Sequence, residues 1–325
     1  MGLIDSYQRQ FVYLRLSVTD RCNFKCSYCL PNGYEKDTQD SSELSVFEVK
    51  KLVTAFANAG VEKIRITGGE PTVRRDLINL VQTVSEIPGI KKVAMTTNGY
   101  RLFEMVRSLK AAGLQAINVS IDSLDSEKFH QITGSNQLFH ILKGVEESIR
   151  LGLEVKINTV LLKDQNEDDF DSFFDWVKDH PVTVRFIELM QTGKNTDYFK
   201  RKHVSGGTIK LKLMSQGWVP SVRGRSDGPA VVFEHQEYAG KIGIIAPYAD
   251  GFCETCNRLR ITSRGELRMC LFGEKDHSIR EFLRSEEGAQ KLPLHIQSLL
   301  SHKPKSHFLH LGNFGSTRNL AQMGG

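Results

Sequence analysis

The residues best equipped for chemistry are six cysteines, and all six fall in two triplets. Cys22, Cys26 and Cys29 lie near the start and Cys253, Cys256 and Cys270 near the end, with none between. A secreted disulfide framework belongs to short, cysteine-dense chains. In 325 residues, two tight local sets are better read as metal-binding. A structural zinc site normally takes four protein ligands, and each set here offers one fewer. Packed as Cys22-Asn-Phe-Lys-Cys26-Ser-Tyr-Cys29, three thiolates suit a cubane [4Fe–4S] cluster with one iron left open. A zinc loop using an outside His or Asp is the alternative at the first set. A zinc knuckle completed by His277, seven residues after Cys270, is the alternative at the second.

Other polar segments sit where a ligand would need them. In Thr67-Gly68-Gly69-Glu70-Pro71 the two glycines let backbone carbonyls approach a ligand closely, and Glu70 offers a counter-charge for a cationic amine. Thr96-Thr97-Asn98-Gly99 and Asn118-Val-Ser120-Ile-Asp122 carry hydroxyls that either serve a ligand or cap the following helices. Arg258 and Arg260 alternate, so both project to one side of an extended segment. Their planar forks suit phosphate oxygens bidentately.

These residues need a scaffold, and the first two-thirds of the chain supplies one by strand–helix alternation. Short β-branched or aliphatic segments at 13–18, 61–66, 92–97, 116–121, 155–160 and 182–187 predict strands. Helical patterns separate them at 76–87, 102–112, 139–151 and 167–179. The first helix is the clearest, with a Ser45/Glu48 capping box, apolar Val46, Val49, Leu52, Val53 and Phe56, and Gly60 as its stop. Such alternation predicts a parallel sheet covered by helices. Six units rather than eight predict an incomplete (β/α)6 barrel, with a doubly wound sheet as the other topology. Most of the key residues then lie at strand ends, where barrel enzymes place their sites. Arg and Lys pointing into such a barrel are costly unless paired, which favours a polyanion inside.

The rhythm changes at 205–226, where Gly206-Gly207 and Arg223-Gly-Arg-Ser-Asp-Gly-Pro229 are turn chemistry. Short strand-like pieces follow at 218–222, 230–233 and 241–245. The expected division is a barrel over 1–225 and a smaller, partly antiparallel region over 226–325. Residues 301–307 and the terminal Gly324-Gly325 read as poorly ordered tail.

The C-x-x-x-C-x-x-C spacing with Tyr28 before the last cysteine resembles the radical S-adenosylmethionine (SAM) superfamily. There, SAM chelates the open iron and is cleaved reductively to a 5′-deoxyadenosyl radical. The second triplet, in Gly251-Phe-Cys253-Glu-Thr-Cys256-Asn-Arg258-Leu-Arg260-Ile-Thr262, resembles the molybdenum cofactor biosynthesis protein A family, the GTP 3′,8-cyclases. The likeness runs from Arg15 to the terminal Gly-Gly. It implies a lyase that takes the ribose C3′ hydrogen of GTP and closes C3′ onto C8, the first step of molybdenum cofactor biosynthesis. A partner synthase then converts the product to cyclic pyranopterin monophosphate. Two [4Fe–4S] clusters are implied, the second meeting the guanine. By residue-by-residue matching, Tyr28, Gly69, Ser120 and Met190 would touch SAM. Arg15, Arg65, Thr96, Lys156, Arg258, Leu259 and Arg260 would touch GTP, with Lys63 nearby, and Gly324 and Gly325 would support catalysis. Met323 stands where the family more often has Ile.

Two rivals remain. A radical SAM enzyme modifying a peptide usually carries more downstream cysteines than the three found here. A zinc-stabilised binding module without catalysis would show an interleaved aromatic and basic surface, and none is evident. The excess of 43 Lys and Arg over 38 Asp and Glu is too small for a duplex binder, yet suits a small polyanion. No run approaches the roughly 18 apolar residues of a membrane span. The opening MGLIDSYQRQ lacks the regions of a signal peptide, and its match to the loose myristoylation pattern is of a kind chance supplies often. The expectation is a cytoplasmic monomer or homodimer that draws on a one-electron reductant and has no nucleic-acid or membrane partner.

Overall fold

Alternation along the strands sets the architecture. In β1 (Tyr13–Ser17), Leu14 and Leu16 are buried in the apolar core, whereas Tyr13 and Arg15 face the opposite side. The computed structural model describes residues 2–35, 42–193, 195–317 and 320–321. α1 (Val46–Asn58) begins as expected: Ser45 accepts from the Glu48 amide at 3.2 Å, and its own N–H donates to the Glu48 carboxylate at 2.8 Å. Then follow β2 (Lys63–Thr67), α2 (Leu77–Ser85), β3 (Lys92–Thr97), α3 (Leu102–Ala111), β4 (Ala116–Ser120), α4 (Ser126–Thr133), α5 (Leu138–Arg150), β5 (Glu154–Leu161), α6 (Phe170–Asp179) and β6 (Thr183–Glu188). Strands β1 to β6 are neighbours in sequence order and pair in parallel, which makes the six-unit core.

The rest of the chain extends that sheet at both ends. After α7 (Thr196–Lys202) and α8 (Gly207–Ser215) come β7 (Val219–Pro220), β8 (Val231–Glu234) and β9 (Lys241–Ile245). β9 pairs in parallel with β6, and β8 and β7 add antiparallel beyond it. β10 (Arg258–Ile261) pairs in parallel with β1, and β11 (Glu266–Arg268) and β12 (His277–Ser278) continue antiparallel from that side. The sheet stays open, with β7 and β12 at its edges. α9 (Glu286–Leu300) packs on α1.

The inner face of the sheet is the unusual one. Barrel interiors are ordinarily filled with branched apolar side chains. Here the apolar residues, such as Ile64, Ile66, Ile117, Val119, Val184 and Phe186, point outward under the helices. Arg65, Thr96, Asn118, Ser120, Asn158, Arg185, Arg258 and Arg260 point inward around one cavity. A polar interior of this kind is a ligand chamber rather than a packed core.

The expectation that residues 301–307 are frayed tail is corrected. Lys303 and His307 are buried. Lys303 donates to the Met269 carbonyl, and His307 sits edge-on to Phe272 and against Phe252. The lysine's stem packs while its ammonium finds a carbonyl, and the imidazole packs with its Nδ1 accepting the Leu309 amide at 3.0 Å, a pattern that local polarity hides.

Candidate active site

Both cysteine triplets, remote in sequence, line the same cavity. The first sits on the loop leaving β1. Its turn is closed by the Cys29 and Leu30 amides donating to the Cys26 carbonyl, both at 3.0 Å, and Phe24 anchors it against Phe129. Burial pushes all three thiols up, Cys29 to about 12, so loading a metal must displace their protons. The second triplet is electrostatically different. Burial alone would raise Cys256, but Arg258, Lys303 and Arg260 outweigh it and pull the thiol down to about 6.

The donor chemistry fits an iron–sulfur cluster better than a lone zinc ion. A structural zinc site takes four protein ligands, whereas each triplet brings three thiolates to the cavity, the number that leaves one iron of a [4Fe–4S] cluster open. His277 pairs in β12 opposite Leu267 and is not part of the cavity lining that holds Cys270.

Gly69 is dictated by close approach, since a Cβ there would fall 2.2 Å from the Arg21 carbonyl oxygen. Gly69, Tyr28, Ser120 and Met190 all line the cavity. The Tyr28 hydroxyl donates to Asp122 at 2.9 Å, while the other Asp122 oxygen accepts the Val160 amide at 2.9 Å. Burial lifts the Asp122 carboxyl to about 6. Glu70 requires a correction. It is fully buried and does not line the cavity, its oxygens accepting from the Thr72 amide and hydroxyl, the Thr97 hydroxyl and the Asn98 amide at 2.6–2.9 Å. It ties β2 to β3 rather than offering a free counter-charge.

Arginines span the space between the triplets. In the ladder register Arg65, Arg15 and Arg260 stand side by side on β2, β1 and β10. Burial, then Arg260, holds Arg15 well below the usual arginine range. The side-chain Nε groups of Arg185, Arg258 and Arg260 and the Asn118 oxygen are buried without a hydrogen-bond partner. Such orphans are costly, and a polyanionic ligand would satisfy the donors.

Four more of the residues expected near GTP are placed as follows. Leu259 turns away from its flanking arginines into the apolar core, so any ligand contact must run through its backbone. Lys156 lines an adjoining cavity, pairing with Glu154 at 2.5 Å. Lys63 donates to the Ser226 carbonyl at 2.9 Å and lies over the Tyr13 ring. Thr96 lines the main cavity and accepts from Arg65 at 3.3 Å.

Among the cavity residues that escaped the sequence reading are Tyr13, Asn158 and Arg185. Arg185 could have been found, because it interrupts a buried strand as Arg15 does. Tyr13 accepts a hydrogen bond from Arg65 Nε. Burial would raise its phenol, yet Arg65, Arg15, Lys63 and Arg185 together lower it to about 7. At the C-terminus, Leu320 and Ala321 also line the cavity. Gly324 and Gly325 lie outside the described residues.

Six consecutive parallel strands around a polar chamber, with a cysteine triplet just after the first, define a radical SAM protein. The family model described as Radical SAM superfamily matches residues 16–177, and Molybdenum Cofactor Synthesis C matches residues 182–309. The SAM-bound structure of Streptococcus suis SuiB aligns with TM-score 0.63 over 85% of this chain and 65% of its own, at 15% identity. Native anSMEcpe with bound SAM aligns with TM-score 0.55 over 85% and 79%, at 16% identity. At that identity the likeness concerns the fold alone. The chain belongs to the GTP 3′,8-cyclase family. It is 49% identical to the GTP 3′,8-cyclase of Mannheimia succiniciproducens over 99% of this chain and 96% of that one. With that of Vibrio parahaemolyticus it shares 51% over 99% and 97%, and with that of Yersinia pestis 48% over 99% of each.

Proposed function

We infer that this chain is a lyase, a radical SAM cyclase that converts GTP to (8S)-3′,8-cyclo-7,8-dihydroguanosine 5′-triphosphate in the first step of molybdenum cofactor biosynthesis. It uses SAM and an iron–sulfur cluster. The observation that carries this reading is the arginine-walled chamber with a cysteine triplet at each side. When bound, the cofactor pair supplies a primary carbon radical able to remove an unactivated C–H hydrogen.

The chain's own residues bind and orient. Cys22, Cys26 and Cys29 are proposed as ligands of a [4Fe–4S] cluster, and Cys253, Cys256 and Cys270 as ligands of a second. Tyr28, Gly69, Ser120 and Met190 are proposed to hold SAM, with Asp122 fixing the Tyr28 ring. Arg15, Arg65, Arg258 and Arg260 are proposed to clamp the triphosphate with Thr96, and Arg185 joins them because it lines the same wall. Lys156 would act from the adjoining cavity, and Gly324 and Gly325 are proposed to support catalysis.

The division into a core over 1–225 and a C-terminal cluster region over 226–325 follows the same reading, as do a one-electron reductant, a downstream cyclic pyranopterin monophosphate synthase, and a cytoplasmic monomer or homodimer. No helix among the described residues is long and apolar enough to cross a membrane. The test is anaerobic incubation of reconstituted protein with SAM, dithionite and each nucleoside triphosphate in turn. A cyclised product formed from GTP alone supports the reading, and 5′-deoxyadenosine formation indifferent to the nucleotide contradicts it.

A further inference from the structure

The arginine row continues one strand past Arg260, to Arg268 directly opposite it on β11. Arg268 is buried and is not part of the chamber lining. Its guanidinium grips Asp276 with two N–H groups, leaving donors for the Thr317 hydroxyl at 2.9 Å and the Ser316 hydroxyl at 3.3 Å. The segment so held is tied down on both sides. The Thr317 hydroxyl donates to the Leu271 carbonyl beside Cys270, and the Thr317 carbonyl accepts the Gly193 amide at 2.9 Å in the loop after β6. The Ser316 amide donates to the Gly273 carbonyl at 3.2 Å. Gly315, at φ +61°, passes so close that a Cβ would lie 2.2 Å from the Phe272 carbonyl oxygen. Further along, Leu320 packs with Leu271, Phe272, Met190 and Cys29. Leu320 and Ala321 line the chamber together with Cys29.

We propose that Arg268 is a positioning residue that latches the C-terminal segment at Ser316 and Thr317, so that Leu320 and Ala321 reach the Cys29 side of the chamber and their backbone N–H groups can cap its sulfur. The inference rests on the reading of Cys22, Cys26 and Cys29 as cluster ligands, and adds that an anchor beside the second triplet sets the electronic environment of the first. Hydrogen bonds to a ligating sulfur stabilise the more negative, reduced state and raise the potential.

Four proteins test it: Thr317→Val, the double variant Arg268→Met/Asp276→Asn, Arg268→Lys, and a chain ending at Thr317. Thr317→Val is near-isosteric and leaves the Arg268–Asp276 pair in place, so it separates the latch from folding. The double variant removes the buried guanidinium without stranding its carboxylate. In cluster-free protein, carboxypeptidase should release terminal residues roughly tenfold faster from Thr317→Val and from the double variant than from wild type, as expected for losing two net hydrogen bonds. After anaerobic reconstitution, the midpoint potential of the first cluster should move negative in the truncated chain, and in the same direction in both latch variants. Arg268→Lys, which keeps the charge but not the fork, should restore only part of either readout. Unchanged release rates would overturn the latch. A loaded cluster whose potential is unmoved by truncation would overturn the capping. Wild-type protein that loads no cluster on the first triplet would sink the cofactor reading itself.

Discussion

Arg15 and Arg260 lie directly opposite each other between the parallel strands β1 and β10. Both are buried or nearly so at the chamber wall, with Arg65 in register on the other side of Arg15. Like charges across a ladder are destabilising, and in a low-dielectric interior the repulsion grows. On the proposed reading, a triphosphate bound at this wall would offset the repulsion between the arginines. Arg260→Met should raise the melting temperature of ligand-free protein while weakening GTP binding about tenfold to a hundredfold, with guanosine binding affected far less. Lysine at either position should rescue affinity only in part. Equal losses for GTP and guanosine would place these arginines away from the phosphates.

The two triplets should separate by substitution. Changing Cys22, Cys26 or Cys29 to Ala is expected to abolish reductive SAM cleavage. Changing Cys253, Cys256 or Cys270 should leave SAM binding intact and eliminate GTP cyclisation. Reconstituted wild type should carry about eight irons per chain on a two-cubane reading. Metal analysis returning one zinc and four irons would restore the zinc alternative at the second triplet.

Proton linkage offers a test that needs no cofactor. Tyr13 is lowered to about 7 by its cationic neighbours against the effect of burial, while burial holds Lys63 at about 8 and Arg185 at about 9. For each group the folded chain binds fewer protons than the unfolded chain between these values and the ordinary ones, so stability rises with pH there. Tyr13 adds stability that is full above about pH 10 and lost as pH falls through about 7. Ligand-free protein should accordingly gain stability from neutral pH toward pH 9, in denaturant titrations. A triphosphate reverses these shifts, so GTP binding near pH 8.5 should take up protons. Calorimetry in two buffers of different ionisation enthalpy measures the uptake, and a buffer-independent heat would contradict it.

Gly324→Ala, Gly325→Ala or deletion of both should leave folding, cluster content and GTP affinity nearly intact while cutting cyclisation severely. Glycine loses most entropy on ordering, so a terminal pair that is ordered on binding must contribute through its backbone. Leu320 and Ala321, the last described residues, line the chamber. Full activity in the deletion would return the tail to an ordinary frayed end.

What the sequence disclosed follows from which interactions are local. The six core strands, the Ser45/Glu48 box and the paired facing of Arg258 and Arg260 are set by periods of two to four residues, and all are present. α9 was hidden because Pro293 lies inside it, although Ser285 caps its start by accepting the Gly288 amide. The partner of Glu70 was unreadable, since Thr97 reaches it from the next strand. That the Leu259 side chain faces the core, leaving only its backbone for a ligand, does not show in matching by position, which ignores which way a strand residue points. Arg185 carried the same signal as Arg15 but was overlooked. Neither the shared chamber of the two triplets nor the Arg268 latch has a local signature, because each is made by pairing β10 and β11 onto β1.

The central claim is that the chamber presents the ribose of GTP to the radical supplied at the first triplet. It is tested most directly by turnover with GTP deuterated at C3′, followed by mass analysis of the 5′-deoxyadenosine. The account predicts transfer of one deuterium to 5′-deoxyadenosine together with a cyclised nucleotide. Product formation with the deuterium retained at C3′, or 5′-deoxyadenosine free of label during GTP turnover, would contradict it.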